Sequence, residues 1–265
     1  MWNTFILSPM VNVLIWIYDL ILNNFGLAII IFTIIIRLIT YPLTAQQLKG
    51  QSKMQELQTS KKYQEMQKKY KDDKEKFAQE QMKLYKEMGI NPLGSCLPLI
   101  IQFPIMIGLY QSISLAMASA PIQLLNLSRD LYSFIPATVL IPLNSTFLWM
   151  NLGLPEVASP NAITIFGYAI PIMTIIVVIT TFLQSKLMTP ATSTGDQGAQ
   201  MSKMMNLYMP ILMGWIAYTL ASGLALYFVV SNILAIAQYA IMGKVNWNNI
   251  LPSNLLPKKK VAFKK

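Results

Sequence analysis

The side chain with the most unusual chemical leverage in this sequence is Arg37. It lies in GLAIIIFTIIIRLITYPLT, residues 26–44, a run that carries no other charge. A charge near the middle of a lipid-crossing helix costs roughly 3 kcal/mol on insertion scales. A guanidinium cannot avoid that cost by losing its proton. It needs a counter-charge, water, or a route to a polar surface. None of the five apolar runs in the chain contains Asp or Glu, so no carboxylate is available at membrane depth.

Two environments remain. Arg37 is seven residues from Thr44, about 10 Å along a helix, so its stem can snorkel to the nearer surface. The other is a water-filled groove, which requires polar side chains on neighbouring runs. Thr33 lies one turn from Arg37 on the same face. Gln102 and Gln111 lie in the second run, Gln184 in the third, and Ser231, Asn232 and Gln238 in the fifth. Each also suits ordinary hydrogen bonding between helices, but their number favours a polar groove. A groove holding one uncompensated positive charge draws in a passing acidic segment and holds it loosely. That is binding chemistry, suited to transport or insertion.

Bond-breaking chemistry finds little support. The chain has no histidine and one cysteine, Cys96. Ser-His and Cys-His catalysis, His-carboxylate zinc sites and haem ligation through His are excluded, and no disulfide can form within one chain. An aspartyl intramembrane protease would need two membrane carboxylates, which are missing. The expectation is no catalytic residue, no metal, no cofactor and no enzyme.

The elements that must position Arg37 follow from composition. Hydrophobic residues make up 54% of the 265 and charged ones 12%, about half the charge of a typical soluble domain. Several apolar runs reach the ~20 residues a helix needs to cross a bilayer. The fold class expected is an all-α membrane protein with five transmembrane helices, an N-terminal interfacial helix and a cytoplasmic helical hairpin. Residues 1–24 form the N-terminal segment, in which Ser8, Asn12 and Asp19 share one helical face. Val11, Leu14, Ile15, Trp16 and Leu22 share the other, as in a helix lying in the interface. No Lys or Arg precedes this segment and no small-residue cleavage site follows, which argues against a signal peptide.

The first span occupies residues 25–44. Residues 45–89 hold eleven lysines and seven acids, with apolar residues at helical spacing, and form the hairpin; Lys71-Asp72-Asp73-Lys74 is its turn. Residues 90–243 contain spans two to five, near 92–118, 164–188, 204–220 and 223–243, with an outer loop at 119–163 and a tight break at Ala221-Ser222-Gly223. Residues 244–265 form a basic tail. Positive charge sets orientation. Eleven basic residues lie in the hairpin, Lys186 and Lys203 flank the 189–203 loop, and six lie in the tail, against Arg129 alone in 119–163. The N-terminus is therefore expected outside and the C-terminus in the cytoplasm of a bacterial cell membrane.

Four stretches, in order, resemble the YidC/Oxa/Alb insertase family from about residue 3 to 245: IIIRLITYPLT, NPLGSCLPLIIQFPI, LNSTFLWMNLGLPE and SGLALYFVVSNILAIAQ. The resemblance implies a membrane protein insertase and chaperone whose span-one arginine, here Arg37, lies in a hydrophilic groove. Such a groove opens to the cytoplasm and to lipid and is closed outside. Nascent membrane proteins would bind there through acidic residues, and their apolar segments would slide into the bilayer along spans three and five without nucleotide. Thr33, Tyr227 and Phe228 match family positions that contact substrate. Phe228 replaces the usual Trp or Tyr, and Ala221 replaces the proline of the usual PSG turn. The substrate-binding set is then Arg37, Thr33, Gln102, Gln184, Tyr227, Phe228, Ser231 and Asn232. The hairpin and tail are candidate contacts for the ribosome or for anionic lipid heads, and the Sec translocon is a further candidate partner. The alternative function is a small anion transporter or channel with Arg37 as its binding site.

Overall fold

The computed structural model describes residues 2–70, 73–89, 97–117, 143–188 and 196–243, together with 125, 127, 128, 131–133, 135 and 245. The start of span two with Cys96, the loop before Asp196 and the basic tail, whose roles were expected above, lie outside the described residues.

A π-helical turn, Asn3–Leu7, leads into α1, Ser8–Leu20. Helix α2 is Phe25–Ile39, capped by the Asn24 side chain, which accepts from the Leu27 N–H at 3.0 Å. Then come α3 (Tyr41–Thr59), α4 (Lys61–Lys69), α5 (Lys74–Glu87) and α6 (Leu97–Ala116). Two short antiparallel pairs follow, β1 (Thr146–Phe147) with β2 (Met150–Asn151), and β3 (Thr164–Ile165) with β4 (Tyr168–Ala169). The last helices are α7 (Ile172–Met188), α8 (Asp196–Thr219) and α9 (Ser222–Ile241). Among the described residues, Asn3–Leu20 and Ser222–Ile241 are long and apolar enough to cross a membrane, and α2 joins Tyr41–Gln47 as a third, bent candidate; α7 is apolar and 17 residues long.

The bend is 56° and falls at Thr40, where α2 gives way to α3. Pro42 cannot donate to the carbonyl four residues back and its ring crowds it, while the Thr40 hydroxyl donates to Ile36 O at 2.8 Å. The straight part of the first run therefore ends at Ile39 rather than Thr44, two residues beyond Arg37.

The 45–89 segment departs from a two-helix hairpin. The chain breaks at Ser60, whose hydroxyl caps α4 by accepting from Tyr63 N–H at 3.3 Å, so three helices pack there. Asp73 caps α5 through Lys76 N–H at 3.0 Å; Lys71 and Asp72 of the expected turn lie outside the described residues. Tyr63, Phe77, Leu84 and Tyr85 are buried between them. The Gln81 amide donates to both the Tyr63 and Tyr85 hydroxyls at 2.8 Å. Burial, with Tyr85 nearby, pushes the Tyr63 phenol up to about 12, although the Gln81 bond opposes this. An ion pair to Lys62 at 2.8 Å holds the Glu87 carboxyl below its ordinary range.

Two further expectations change. The third apolar run begins at Ile172 rather than Thr164, because the chain reverses at Phe166-Gly167, both with positive φ, and makes β3–β4 first. In α1, Val11, Leu14 and Ile15 are buried as expected, but against protein, while Trp16 and Leu22 are exposed. Asn12 turns inward: its amide donates to Ser8 O and its Oδ1 accepts from Tyr132 N–H, both at 2.7 Å. An asparagine can be buried when both its donor and acceptor are used, and Asn12 of the expected polar face is spent on tying down the loop, while Asp19 of that face stays exposed.

Helices α2, α7 and α9 start at one end of the bundle, and one segment touches all three starts. Phe147 lies on Gly26, where a Cβ would stand 2.1 Å from Cδ2 of the ring. Ser222 and Gly223 N–H groups at the start of α9 donate to Leu154 O (2.8 Å) and Leu152 O (3.0 Å), and the Ser222 hydroxyl donates to Asn151 O at 2.7 Å. Glu156, 2% exposed, reaches the start of α7. This clasp closes over the core formed by Leu14, Phe25, Ile29, Ile113, Leu152 and Leu224.

The Gly26–Phe147 contact gives a test. Gly26→Ala is expected to lower stability by about 1–2 kcal/mol, overpacking outweighing the gain in helix propensity. Adding Phe147→Ala should return most of the loss in the melting temperature of detergent-solubilised protein. A single variant that melts with the parent would show that the ring is not held against α2.

Candidate functional site: a polar layer across three helices

Farther along the same three helices lies a polar layer. Gly26 to Arg37, Gly223 to Ser231 and Met173 to Thr180 are eleven, eight and seven residues, which places the layer about 10–17 Å from the clasp. Arg37 projects from α2 to α9. Its Nε donates to Ser231 Oγ at 3.2 Å, and its Nη2 donates to Ser231 O at 2.9 Å and also to Ser231 Oγ. The Gln238 amide, two turns further along α9, donates to Arg37 O at 3.3 Å. Next along α9, the Asn232 amide donates to the hydroxyls of Thr180 (3.1 Å) and Thr181 (2.9 Å) on α7. On the third side, the Gln102 amide of α6 donates to the Tyr227 hydroxyl at 2.8 Å.

No ion pair involves Arg37 among the described residues; those found, Lys62–Glu87, Lys76–Asp73 and Lys83–Glu80, all lie in the 60–89 segment. Its fork is met by neutral oxygen alone. The buried Gln238 Oε1 has no hydrogen-bond partner among the described residues, so an acceptor is left open in this layer.

Most of the residues singled out in the sequence are brought together here: Arg37, Gln102, Tyr227, Ser231 and Asn232. Thr33 is fully buried, its hydroxyl donating to Ile29 O at 2.6 Å. Phe228 is buried with its ring 5.7 Å from that of Tyr227; it packs and cannot hydrogen-bond. Gln184 is half-buried on α7, one turn beyond Thr181, and no side-chain hydrogen bond joins it to Arg37 or Asn232. Gln111 lies elsewhere, accepting from Trp2 Nε1 at 2.7 Å. Sequence reasoning missed Thr180 and Thr181. The signal was present, since adjacent threonines in an apolar run can each place a hydroxyl toward a partner helix, but nothing in the sequence distinguished them from threonines bonded to their own helix.

A family model described as 60Kd inner membrane protein matches residues 16–249. The chain is 37% identical over 242 residues to "Membrane protein insertase YidC 2" of Listeria innocua, covering 89% of this chain and 70% of that protein. The chain belongs to the YidC family. A YidC insertase of Oceanobacillus iheyensis is 33% identical over 250 residues, covering 92% of this chain and 84% of the relative. In three dimensions the chain is similar to an active YidC insertase crystal structure with its first transmembrane domain resolved, at a TM-score of 0.56 and 28% identity. That likeness covers 89% of this chain and 46% of the solved one, so the chain spans about half of that YidC's length. Membership in the YidC family places the protein among membrane proteins, and its mostly helical fold is YidC-like.

Proposed function

We propose that the chain is a membrane protein insertase that binds nascent membrane proteins at the Arg37 layer and releases their apolar segments sideways into lipid. The observation that carries this is the Arg37 fork, held by Ser231 with no carboxylate paired to it among the described residues. A fixed positive charge at membrane depth attracts acid. The open Gln238 Oε1 supports a wet layer, because a buried polar atom left dry costs about 1–3 kcal/mol.

In this reading α2, α6, α7, α8 and α9 are the five spans and α1 lies at the outer interface. The clasp end is outside, and the 45–89 segment and the basic tail are in the cytoplasm. The groove lies between α2, α7 and α9, is shut at the clasp and opens toward the hairpin. Thr33, Gln102, Gln184, Tyr227, Phe228, Ser231 and Asn232 line or back it. The driving force is transfer of the client's apolar segment from water to hydrocarbon, with no nucleotide and no catalytic residue. The hairpin and tail meet the ribosome or anionic lipid, and the Sec translocon is a further partner.

Purified protein in liposomes tests this directly. Insertion of a short single-span client without nucleotide is the expected result, and anion flux without insertion would favour a transporter. Single cysteines at Gln102, Ser231 and Gln238, in a Cys96→Ser background, should react with a water-soluble thiol reagent supplied from the hairpin side. Inert thiols at all three would replace the groove by an Arg37 that snorkels to the nearer surface.

A further inference from the structure

Three bulky apolar residues, Leu22 (φ 48°), Leu148 (φ 56°) and Phe166 (φ 53°), adopt left-handed backbone conformations. Side chains without a local hydrogen bond resist that region at a cost of about 1–2 kcal/mol each, and turns in water fill it with Gly, Asn or Asp. Asn23 (φ 61°) and Gly167 (φ 83°), beside two of the three, are of that ordinary kind. Yet Leu22 is 96%, Leu148 68% and Phe166 97% exposed. They are strained residues whose side chains are mostly left uncovered by the protein.

All three stand at the clasp end. Leu22 closes the α1–α2 turn three residues before Phe25. Leu148 is the tip of β1–β2, next to Phe147 on Gly26. Phe166 is the tip of β3–β4, six residues before Ile172. Leu20, Ile165 and Tyr168 beside them are exposed too. No charged residue occurs from Val157 to Ser185, a stretch that joins the Phe166 hairpin to α7 and its exposed Ile175, Ile179 and Phe182. The hairpin surface is continuous in composition with the lipid-facing side of that helix.

We propose that these three tips are a tripod seated in the lipid at the boundary between headgroups and acyl chains of the leaflet on the clasp side. The proposal rests on the reading that α7 spans the bilayer. The distance fits: the polar layer lies about 10–17 Å below the helix starts, roughly half of a 30 Å hydrocarbon core, so the starts fall at the interface where aromatic and aliphatic anchors gather. Three anchors spread over the starts of α2 and α7 and the β1–β2 tip fix the depth and tilt of the far end. They thereby fix the depth at which Arg37 sits while a client deforms the bilayer around it.

The test is site-directed spin labelling in phosphatidylethanolamine–phosphatidylglycerol vesicles. Leu22→Cys, Leu148→Cys and Phe166→Cys are labelled one at a time in a Cys96→Ser background. Power saturation then compares collision with oxygen, which concentrates in lipid, and with a nickel chelate, which stays in water. Lys62→Cys in the hairpin gives the aqueous reference and Ile179→Cys the mid-helix lipid reference. The expected result is an oxygen-to-nickel ratio several-fold above that of Lys62 at all three tips, with a shallower depth than Ile179. Tips as nickel-accessible as Lys62, with Ile179 in lipid, would overturn the tripod and leave the spanning reading intact. Nickel access at Ile179 as well would overturn the spanning reading itself. Tips shielded from both reagents would overturn the proposal in favour of a covering protein, either a second copy or another chain.

Discussion

Arg37→Ala is expected to lower insertion of clients whose translocated segment carries acidic residues by about tenfold, equivalent to about 1.4 kcal/mol of barrier, and to leave acid-free clients within about twofold. The two classes separate because the guanidinium attracts only the charged part of a client, while transfer of the apolar part to lipid does not use it. The same substitution should not harm the fold. It removes a charge whose presence at membrane depth costs roughly 3 kcal/mol, and Ser231 keeps a hydroxyl able to bond within its own helix. The melting temperature in detergent is therefore expected to stay level or rise while the activity falls, the pattern of a site held at the expense of stability. Arg37→Lys keeps the charge but replaces a fork by a point donor. It cannot hold Ser231 through Nε and Nη2 together, so it should fall between the parent and the alanine variant. Equal insertion of both client classes by Arg37→Ala at the parent rate would remove charge capture from the mechanism.

Glu156→Ala is expected to produce the largest loss of stability, about 3 kcal/mol from hydrogen bonds to a buried ionised acceptor. The carboxylate accepts from Trp149 Nε1 at 2.8 Å, from Met173 N–H at 3.1 and 2.9 Å, and from Thr174 N–H at 3.4 Å. Helix α7 follows Ile170-Pro171, so no Ser, Thr, Asp or Asn stands just before it to cap its first N–H groups. The acid is delivered from the loop to N–H groups that would otherwise be unsatisfied, at the end of the helix where its dipole favours negative charge. Alanine would orphan the indole and both amides. Glu156→Gln retains one acceptor oxygen and should lose about half as much. Thermal unfolding in detergent measures both, and faster proteolysis within residues 144–159 should accompany the loss. A Glu156→Ala protein that melts with the parent would show that the clasp is held by its backbone bonds to α9 alone.

Much of the site was legible because lipid is an unforgiving solvent. A charge in an apolar run has few solutions, so Arg37 identified itself, and the polar residues of other runs were its natural neighbours. Ser231 and Gln238 do meet it, and Gln102 and Tyr227 form a pair. Gln111 shows the limit of this reasoning: the same residue type in the same apolar run accepts from Trp2 at the N-terminus instead, because helix rotation is set by packing and leaves no mark on a stretch that is apolar all round. Asn12 failed similarly, since a polar face is outward only until something on the protein needs its hydrogen bonds. Helix ends were misplaced where a local conformation interrupted the hydropathy. The reversal at Phe166-Gly167 kept Thr164–Ala169 out of α7, the 56° bend cut α2 short, and Ser60 divided the hairpin.

The sequence by itself determined a helical membrane protein with one stranded positive charge and a charged helical appendage, because charge and apolar length are properties of composition and spacing. Tertiary structure alone decided which oxygens face Arg37, that Asn232 spans to Thr180 and Thr181, and that Glu156 caps a helix beginning 16 residues later. Those pairings depend on the rotation and direction of helices far apart in the chain, and many rotations bury the same apolar area while only one brings these groups within hydrogen-bonding distance.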